Sequence, residues 1–275
     1  MNNFDLVIAH RVYPGISKSP FIKNKSKLEL FEINLLSLRN AIGFLNVKIF
    51  FILDNCTYEF VSLIKNIFKN FQYELIIYKK KQGNVKTFLK QIEILLNQNF
   101  SEYIYFSEDD YIYKKKSLQK IVNIYKKYQN KIDFITLYDN PEYNYRDFHN
   151  YKKQVNYFDN LSFIKVSSTT LTFLTSKKIL KQTRKIFETF RYGNYDSSIF
   201  LSLTKIKIFP FQNFHSLLFE KDIIRFLKAW IFGSLQILFG KKYNLFSVTP
   251  AKATHMEDGL ISKKVNWIKI IKDSQ

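Results

Sequence analysis

Short apolar runs alternate along the chain with longer stretches of helical spacing. Residues 4–9 (FDLVIA) read as a buried parallel strand, followed by a polar loop through Pro20 that contains Pro and Gly. From 26 to 42, Leu28, Leu30, Phe31, Leu35, Leu36 and Leu38 recur at near-helical intervals with charged residues between them. Residues 47–53 (VKIFFIL) then predict a second strand, ending at Asp54. The alternation continues with a helix over 57–71, a strand over 73–78 and a helix over 84–97. That last helix carries Val85, Phe88, Leu89, Ile92 and Leu95 on one stripe, and Gly83 before it can supply a positive-φ turn. A fourth strand over 103–106 (YIYF) is closed abruptly by Ser107-Glu108-Asp109-Asp110. Strand and helix in alternation predict an α/β fold, a doubly wound mixed sheet with helices on both faces, binding ligands beyond the carboxyl ends of its strands.

The second half is less regular. The pattern gives a Lys-rich helix over 117–128, a strand over 133–138, a polar loop to about 160 and a strand-like run over 161–173. Helices follow at 177–190 and 195–203. Residues 221–239 are amphipathic and basic, with Ile223, Ile224, Leu227, Trp230, Ile231 and Leu235 apolar and Lys221, Arg225 and Lys228 charged. No repeat and no Ser-, Gly- or Pro-rich linker divides the chain, so it reads as one domain over 1–275 with two lobes, 1–110 and 111–275.

Composition narrows the class. Of 275 residues, 46% are hydrophobic, with only 7 Gly and 5 Pro, which excludes a solvated coil or a collagen-like chain. The single cysteine, Cys56, excludes an internal disulfide framework and fits a reducing, cytoplasmic setting. The opening residues lack the basic and apolar regions of an export signal, and no run of about 18 uncharged apolar residues predicts a membrane span. Forty-three basic against twenty-three acidic residues give +20, which favours a polyanionic partner: nucleic acid, an anionic membrane face or a phosphorylated small molecule. Only six of the basic residues are Arg, which disfavours base-specific nucleic-acid recognition. A genome biased toward Lys, Asn, Ile, Phe and Tyr codons would produce much of the same charge.

Chemistry concentrates in three places. Glu108-Asp109-Asp110 sets three carboxyl groups on one turn at a strand end, where a divalent cation such as Mg²⁺ or Mn²⁺ would relieve their repulsion and bridge a diphosphate. The plainer reading is an acidic turn in water, balanced by Lys114 to Lys116. Thr254-His255-Met256-Glu257-Asp258-Gly259 adds a nitrogen ligand and two carboxylates in a loop, although a polar-loop His is more often a surface residue. Asp196 precedes an apolar periodic run, where its plain role is helix-end stabilisation worth about 1 kcal/mol. No P-loop and no G-x-G-x-x-G follows the first strand, which removes the main support for Walker ATPase and dinucleotide readings.

The order YIYFSEDDY, DFITLYDNPEY, SSTTLTF, YDSSIF and ATHMEDGLISKKVNW resembles a bacterial glycosyltransferase of the GT-A fold, family-2-like, with short motifs spread from Val7 to Trp267. The resemblance implies a GT-A-like fold whose acidic motif binds Mn²⁺ or Mg²⁺ and the diphosphate of a nucleotide-diphosphate sugar. By position this falls on Glu108 and Asp110, with Asp109 nearby, although Glu-Asp-Asp departs from a strict Asp-x-Asp. His255 matches a late His that completes the metal site. Asp196 matches the carboxylate base of inverting members, with Glu257 or Asp258 next in line. Asp54 falls beside the uracil or ribose. Ala9, His10 and Arg11 end the first strand at the nucleotide pocket, which Gly83, Asn84 and Lys86 also line. Thr169, Thr170 and Glu257 fall on the acceptor side, although Thr in a strand is usually only a β former. Residues 1–110 then form the nucleotide-sugar lobe and 111–275 the acceptor lobe.

The implied reaction is metal-dependent transfer of a sugar to a hydroxyl of a cell-surface glycan, such as lipopolysaccharide or capsule, with inversion. Its partners would be the donor, a glycan or lipid-linked acceptor and, through the basic amphipathic stretch 221–242, the inner face of the plasma membrane. For that stretch the alternative is a buried helix packing its apolar face on the sheet. Two other functions fit the residues: a basic module stacking single-stranded nucleic acid on Tyr and Phe, and a metal-dependent nucleotidyltransferase or phosphodiesterase.

Overall fold

Four parallel strands form the first half of the central sheet: β1 (Leu6–Val12), β2 (Val47–Asp54), β3 (Gln72–Tyr78) and β4 (Tyr103–Glu108), in the order β3-β2-β1-β4. The computed structural model describes residues 4–17, 19–144, 149–209 and 223–274. The crossovers are α1 (Lys27–Ile42), α2 (Tyr58–Ile67) and α3 (Gly83–Asn97). Ser26 starts α1 by accepting the Glu29 N–H, and the Glu29 carboxylate accepts the Ser26 N–H in return. The chain leaves β1 for β2 and β3 on one side and returns to β4 on the other. The carboxyl ends of β1 and β4 therefore form a topological switch point, where open α/β sheets bind ligands.

The second half extends the same sheet. After β5 (Tyr111–Tyr113) and α4 (Ser117–Tyr128) come β6 (Phe134–Thr136), β7 (Val155–Phe158), β8 (Leu161–Lys165), β9 (Phe173–Ser176), α5 (Lys177–Glu188) and α6 (Asp196–Thr204). Then follow α7 (Ile223–Phe239), β10 (Leu245–Thr249), β11 (Ala253–His255) and α8 (Trp267–Lys272). Among the described residues the sheet has nine strands, ordered β3-β2-β1-β4-β9-β6-β10-β8-β7, with β8 and β9 running against the rest. Alternation along β1 divides the core. Leu6 and Ile8 pack with α1, α2 and α4 on one face, and Val7 and Ala9 pack with α3, α5 and α6 on the other. The mixed, doubly wound sheet with helices on both faces is the predicted one.

Several boundaries differ from expectation. β1 runs on through His10 and Arg11 because both pair with β2 and β4. α2 stops at Ile67, where the Phe68 N–H closes the last turn on Ile64. The apolar run 161–173 splits into β8 and β9 on different neighbours, leaving 166–172 as a loop that carries threonines toward the site. β5, β7, β10 and β11 are too short or too irregular in pattern to have been foreseen. α7 departs most. It lies against α6, not the sheet, through Phe226, Ala229, Gly233 and Ile237, while Ile223, Ile224, Leu227, Ile231 and Leu235 stay exposed. A Cβ on Gly233 would stand 2.6 Å from Ser202 Cβ, so the glycine is what lets the two helices approach. Lys221 lies outside the described residues.

Candidate active site

The acidic turn follows β4, and strand register puts Glu108 beside Arg11 of β1. From within α1, Asn34 Nδ2 donates to the carbonyls of Glu108 (3.1 Å) and Tyr111 (2.8 Å), clamping the turn from below. Gln91 of α3 ties the strand ends together by donating to the Ala9 and Ser107 carbonyls. β5 then pairs antiparallel with β11, setting His255 opposite Tyr111, and the Met256 N–H donates to the Asp110 carbonyl at 2.7 Å. Two three-residue strands thus bring His255 to the acidic turn.

Each carboxylate of the turn has its own cation. Glu108 pairs with Arg11 and accepts the Thr172 hydroxyl at 2.8 Å, so both its oxygens are engaged. Asp109 pairs with Lys27 at 2.9 Å and accepts the Tyr13 N–H. Burial raises the Asp109 carboxyl by more than the Lys27 ammonium lowers it. Asp110 Oδ2 faces His255 Nε2 at 3.1 Å, while its Oδ1 is buried without a hydrogen-bond partner. Burial opposes charge on both members of this pair, but their mutual attraction wins: Asp110 is held low and His255 high. The balancing cations are therefore Arg11, Lys27 and His255. Lys114 and Lys116 instead lie over the Trp267 and Phe44 rings.

Two clefts meet at this turn. The larger, of about 440 Å³, is lined by Arg11, Tyr13, Lys27, Asp54, Lys81, Gly83, Asn84 and the three acidic residues. The other side opens as two smaller hollows of about 320 and 200 Å³ that share Thr170, Asp196 and His255. Glu108 and Asn84 border both the large cleft and the 320 Å³ hollow, so the acidic turn is the partition between them. Asp196 opens α6, accepting the Ser197 N–H at 2.6 Å. Burial pushes its carboxyl up to about 6, with Glu108 and Glu142 adding to the rise and the Ser197 N–H and Arg225 opposing it.

The expected site residues divide accordingly. Arg11, Asp54, Gly83, Asn84 and Asp109 line the large cleft. Glu108, Thr170, Asp196 and His255 line the 320 Å³ hollow, Thr169 the 200 Å³ one, and Asp110 the large cleft beside His255. Asp54 also accepts the Gln82 and Gly83 N–H groups, fixing the loop that Gly83 turns at φ 82°. Ala9 is in the core. His10 is fully buried, bonds Ser107 at 2.9 Å and is driven by burial to a pKa of about 3, so it is a neutral packing group. Lys86 is exposed and lines neither cleft. Glu257 stands 3.8 Å from His255 Nδ1. Sequence reasoning missed Tyr13, Lys27, Asn34, Tyr111, Thr172 and Arg225. Of these only Asn34 carried a signal, a polar residue on the apolar stripe of α1.

Residues 22–193 match the family model described as glycosyl transferase family 2. The chain belongs to that family. That membership favours the glycosyltransferase reading over the nucleic-acid module and the nucleotidyltransferase. α7, β10 and His255 lie beyond the matched residues. No curated protein matches the chain. Among solved structures, Staphylococcus aureus TarS 1-349 in complex with UDP is 12% identical, with 89% of this chain covering 61% of that one at a TM-score of 0.44. Mannosyltransferase PcManGT from Pyrobaculum calidifontis, in complex with GDP-Man and Mn²⁺, is 11% identical, with coverages of 75% and 52% and a TM-score of 0.45. The chain spans about half the length of these solved chains, 61% of the TarS chain and 52% of the mannosyltransferase. These likenesses are distant, and membership in the family rests on the family model.

Among the described residues no group of three or more His, Cys, Asp or Glu side chains is arranged to hold a metal. Asp110 and His255 nevertheless fit one. Asp110 Oδ1 is unpartnered, His255 Nε2 would become a ligand once a cation displaced the proton it shares with Asp110, and hard cations at phosphate sites commonly take one or two protein ligands with the substrate's phosphates completing the shell. A His beside a carboxylate suits Mn²⁺ better than Mg²⁺.

Proposed function

We propose that this enzyme transfers a sugar, with inversion, from a nucleotide-diphosphate sugar to a hydroxyl of a cell-surface glycan under assembly, such as lipopolysaccharide or capsule. The observation that supports this reading best is the partition: an acidic turn with Asp110 facing His255 separates the large cleft from a hollow walled by Asp196. The donor lies in the large cleft, within residues 1–110, where Arg11, Lys27 and Lys81 stand against four carboxylates, so that a bound divalent cation would tip the balance toward its diphosphate. The acceptor enters from the side built by 111–275, past Thr169 and Thr170. Asp110 and His255 would hold Mn²⁺ or Mg²⁺, which would offset charge on the diphosphate leaving group.

Asp196 takes the acceptor proton. A carboxyl lifted to about 6 is ionised at neutral pH yet more basic than an ordinary aspartate, which suits a general base. As the acceptor oxygen bonds to the anomeric carbon, the bond from that carbon to the diphosphate oxygen breaks, and the diphosphate leaves with the bonding pair. Glu108, held by Arg11 and Thr172, fixes the partition; Asp109, held by Lys27 and the Tyr13 N–H, fixes the loop after β1. The acceptor is met on the cytoplasmic side, with the enzyme peripheral on the inner face of the plasma membrane.

The test is a thermal-shift panel of nucleotide-diphosphate sugars with and without Mn²⁺. At about a hundred times its Kd a donor stabilises the fold by about 2.7 kcal/mol, a readily measured rise in melting temperature. A shift selective for one nucleotide, larger with Mn²⁺ and lost in Asp110→Asn, is expected. No shift with any donor would overturn the assignment of the large cleft.

A further inference from the structure

We propose that α7 is a membrane-docking helix, which seats the acceptor hollow against an anionic bilayer and so selects an acceptor carried on a lipid. The docking stands on the surface of α7 itself; the acceptor class also rests on glycosyl transfer at the adjoining hollow.

Every exposed residue of α7 is Ile, Leu or Phe. Ile224, Leu227, Ile231, Leu235 and Leu238 follow one another at three- and four-residue steps, so they form a single stripe, and Phe239 extends it. Ile231 and Leu235 at its centre are 70% and 75% exposed, and Phe239 is 82% exposed. Aliphatic side chains half or more exposed in a continuous row are costly in water and mark an interaction face. The opposite face is already committed to α6 through Phe226, Ala229, Gly233 and Ile237. The helix therefore cannot turn its stripe inward. Nor can it span a bilayer: its 17 residues reach about 25 Å against a hydrocarbon core of about 30 Å, and none of the described helices is long and apolar enough to cross. A helix anchored on one face and apolar on the other is suited to lie in the interface plane.

Charge selects the occupant. From residue 220 to 242 the sequence carries five basic residues, Lys221, Arg225, Lys228, Lys241 and Lys242, against two acidic ones, Glu220 and Asp222. Lys242 is exposed immediately beyond the stripe, Lys241 beside it is exposed but paired with Asp133 at 2.9 Å, and Arg225 and Lys228 flank its beginning. An anionic lipid surface complements this arrangement. A second copy would bring together two like basic faces on chains of net charge +20.

The start of α7 borders the acceptor side. Arg225 lines the 200 Å³ hollow with Thr169, Thr170, Asp196 and His255. Lys228 donates to the Gly193 carbonyl and lies 3.6 Å over the Tyr195 ring, which is partly exposed beside Asp196. Seating the stripe in a bilayer thus brings the mouth of that hollow to the headgroup layer. A sugar hydroxyl held there on a lipid anchor gains a high local concentration that a free glycan lacks.

Flotation of the full chain with vesicles tests the docking, using phosphatidylglycerol mixed with phosphatidylcholine against phosphatidylcholine alone. Co-flotation with the anionic vesicles, weakened by salt, is expected. Ile231→Glu with Leu235→Glu should reduce vesicle affinity about a hundredfold or more, and Lys242→Gln about fivefold, with melting temperature and donor-induced shift unchanged. A wild-type chain that stays in solution, or a double variant that floats like wild type, overturns the docking. So does a dimer that the double substitution dissociates without any vesicle binding, which assigns the face to a second copy. Equal turnover of a lipid-anchored and a detached acceptor on vesicles overturns the acceptor class alone. Flotation without any donor-induced shift instead leaves the docking standing and removes glycosyl transfer.

Discussion

Asp196 is the residue whose chemistry depends most on its surroundings. Its carboxyl is lifted to about 6, and only the ionised form accepts a proton, so kcat should rise with pH through about 6 and level off above it. Arg225 opposes that lift, so Arg225→Gln should move the acid limb to higher pH in the same kcat profile. Asp196→Asn should cut kcat by about 10²–10⁴ while leaving the donor-induced shift in place. The same carboxyl works against stability at neutral pH. A pKa raised in the fold binds its proton more tightly than the unfolded chain does, so this contribution is present below 3.8 and is lost as pH rises toward about 6. At the acidic turn, Asp110→Asn and His255→Ala should each weaken Mn²⁺ binding, measured calorimetrically, by at least about the 10- to 100-fold that loss of an outer-shell partner costs. The acidic run, the late His and Asp196 stood out in sequence mainly through the resemblance to a known family, because acidic turns, polar-loop His residues and an Asp at a helix start are each common. Lys27 and Thr172 did not stand out, because a Lys at a helix start and a Thr before a strand are common and only their three-dimensional partners distinguish them.

At the scale of elements, the site depends on contacts that leave weak traces in sequence. α1, α3 and the first four strands were legible because each carries a full period of apolar residues over its length. β5 and β11 have three residues each, too few for a period, yet their pairing is what brings His255 to Asp110. Asn34 provides the other support, and Asn34→Leu should leave the Glu108 and Tyr111 carbonyls without their donor, costing about 1–3 kcal/mol in chemical denaturation and loosening Mn²⁺ binding as the turn shifts. α7 was legible as an amphipathic helix but not in its orientation. The pattern marks an apolar stripe; it does not show that Gly233 and Ala229, small residues on the other side, make the tighter contact. Gly233→Leu should therefore force α7 from α6 and destabilise the fold by about 1–3 kcal/mol, since even a Cβ there meets Ser202 at 2.6 Å. Unchanged denaturation of that variant would mean that the helices do not meet closely at this position.

For the whole molecule, the family-matched segment and the folding unit are different things. Residues 22–193 contain the acidic turn and the four helices before α5, but not β1 or β10. β1 lies between β2 and β4 with all seven residues buried, and β10 lies between β6 and β8. Removing both opens four buried strand edges, whose N–H and C=O groups lose their partners. It also removes Leu6, Val7, Ile8 and Val12 from one end of the chain and Leu245, Phe246 and Val248 from the other, all buried. Burial of each such side chain contributes about 1.5–3 kcal/mol. Seven of them together reach the about 5–15 kcal/mol by which whole domains are stable. A fragment spanning 22–193 should therefore show no cooperative melting by circular dichroism and no donor-induced shift, while the full chain shows both. A sharp melting transition in the fragment would mean that the sheet's first half is held by its helices, with β1 an addition to a core already complete. The expectation is the reverse: the switch point that holds the site exists only when the chain's first strand is seated between two strands laid down after it.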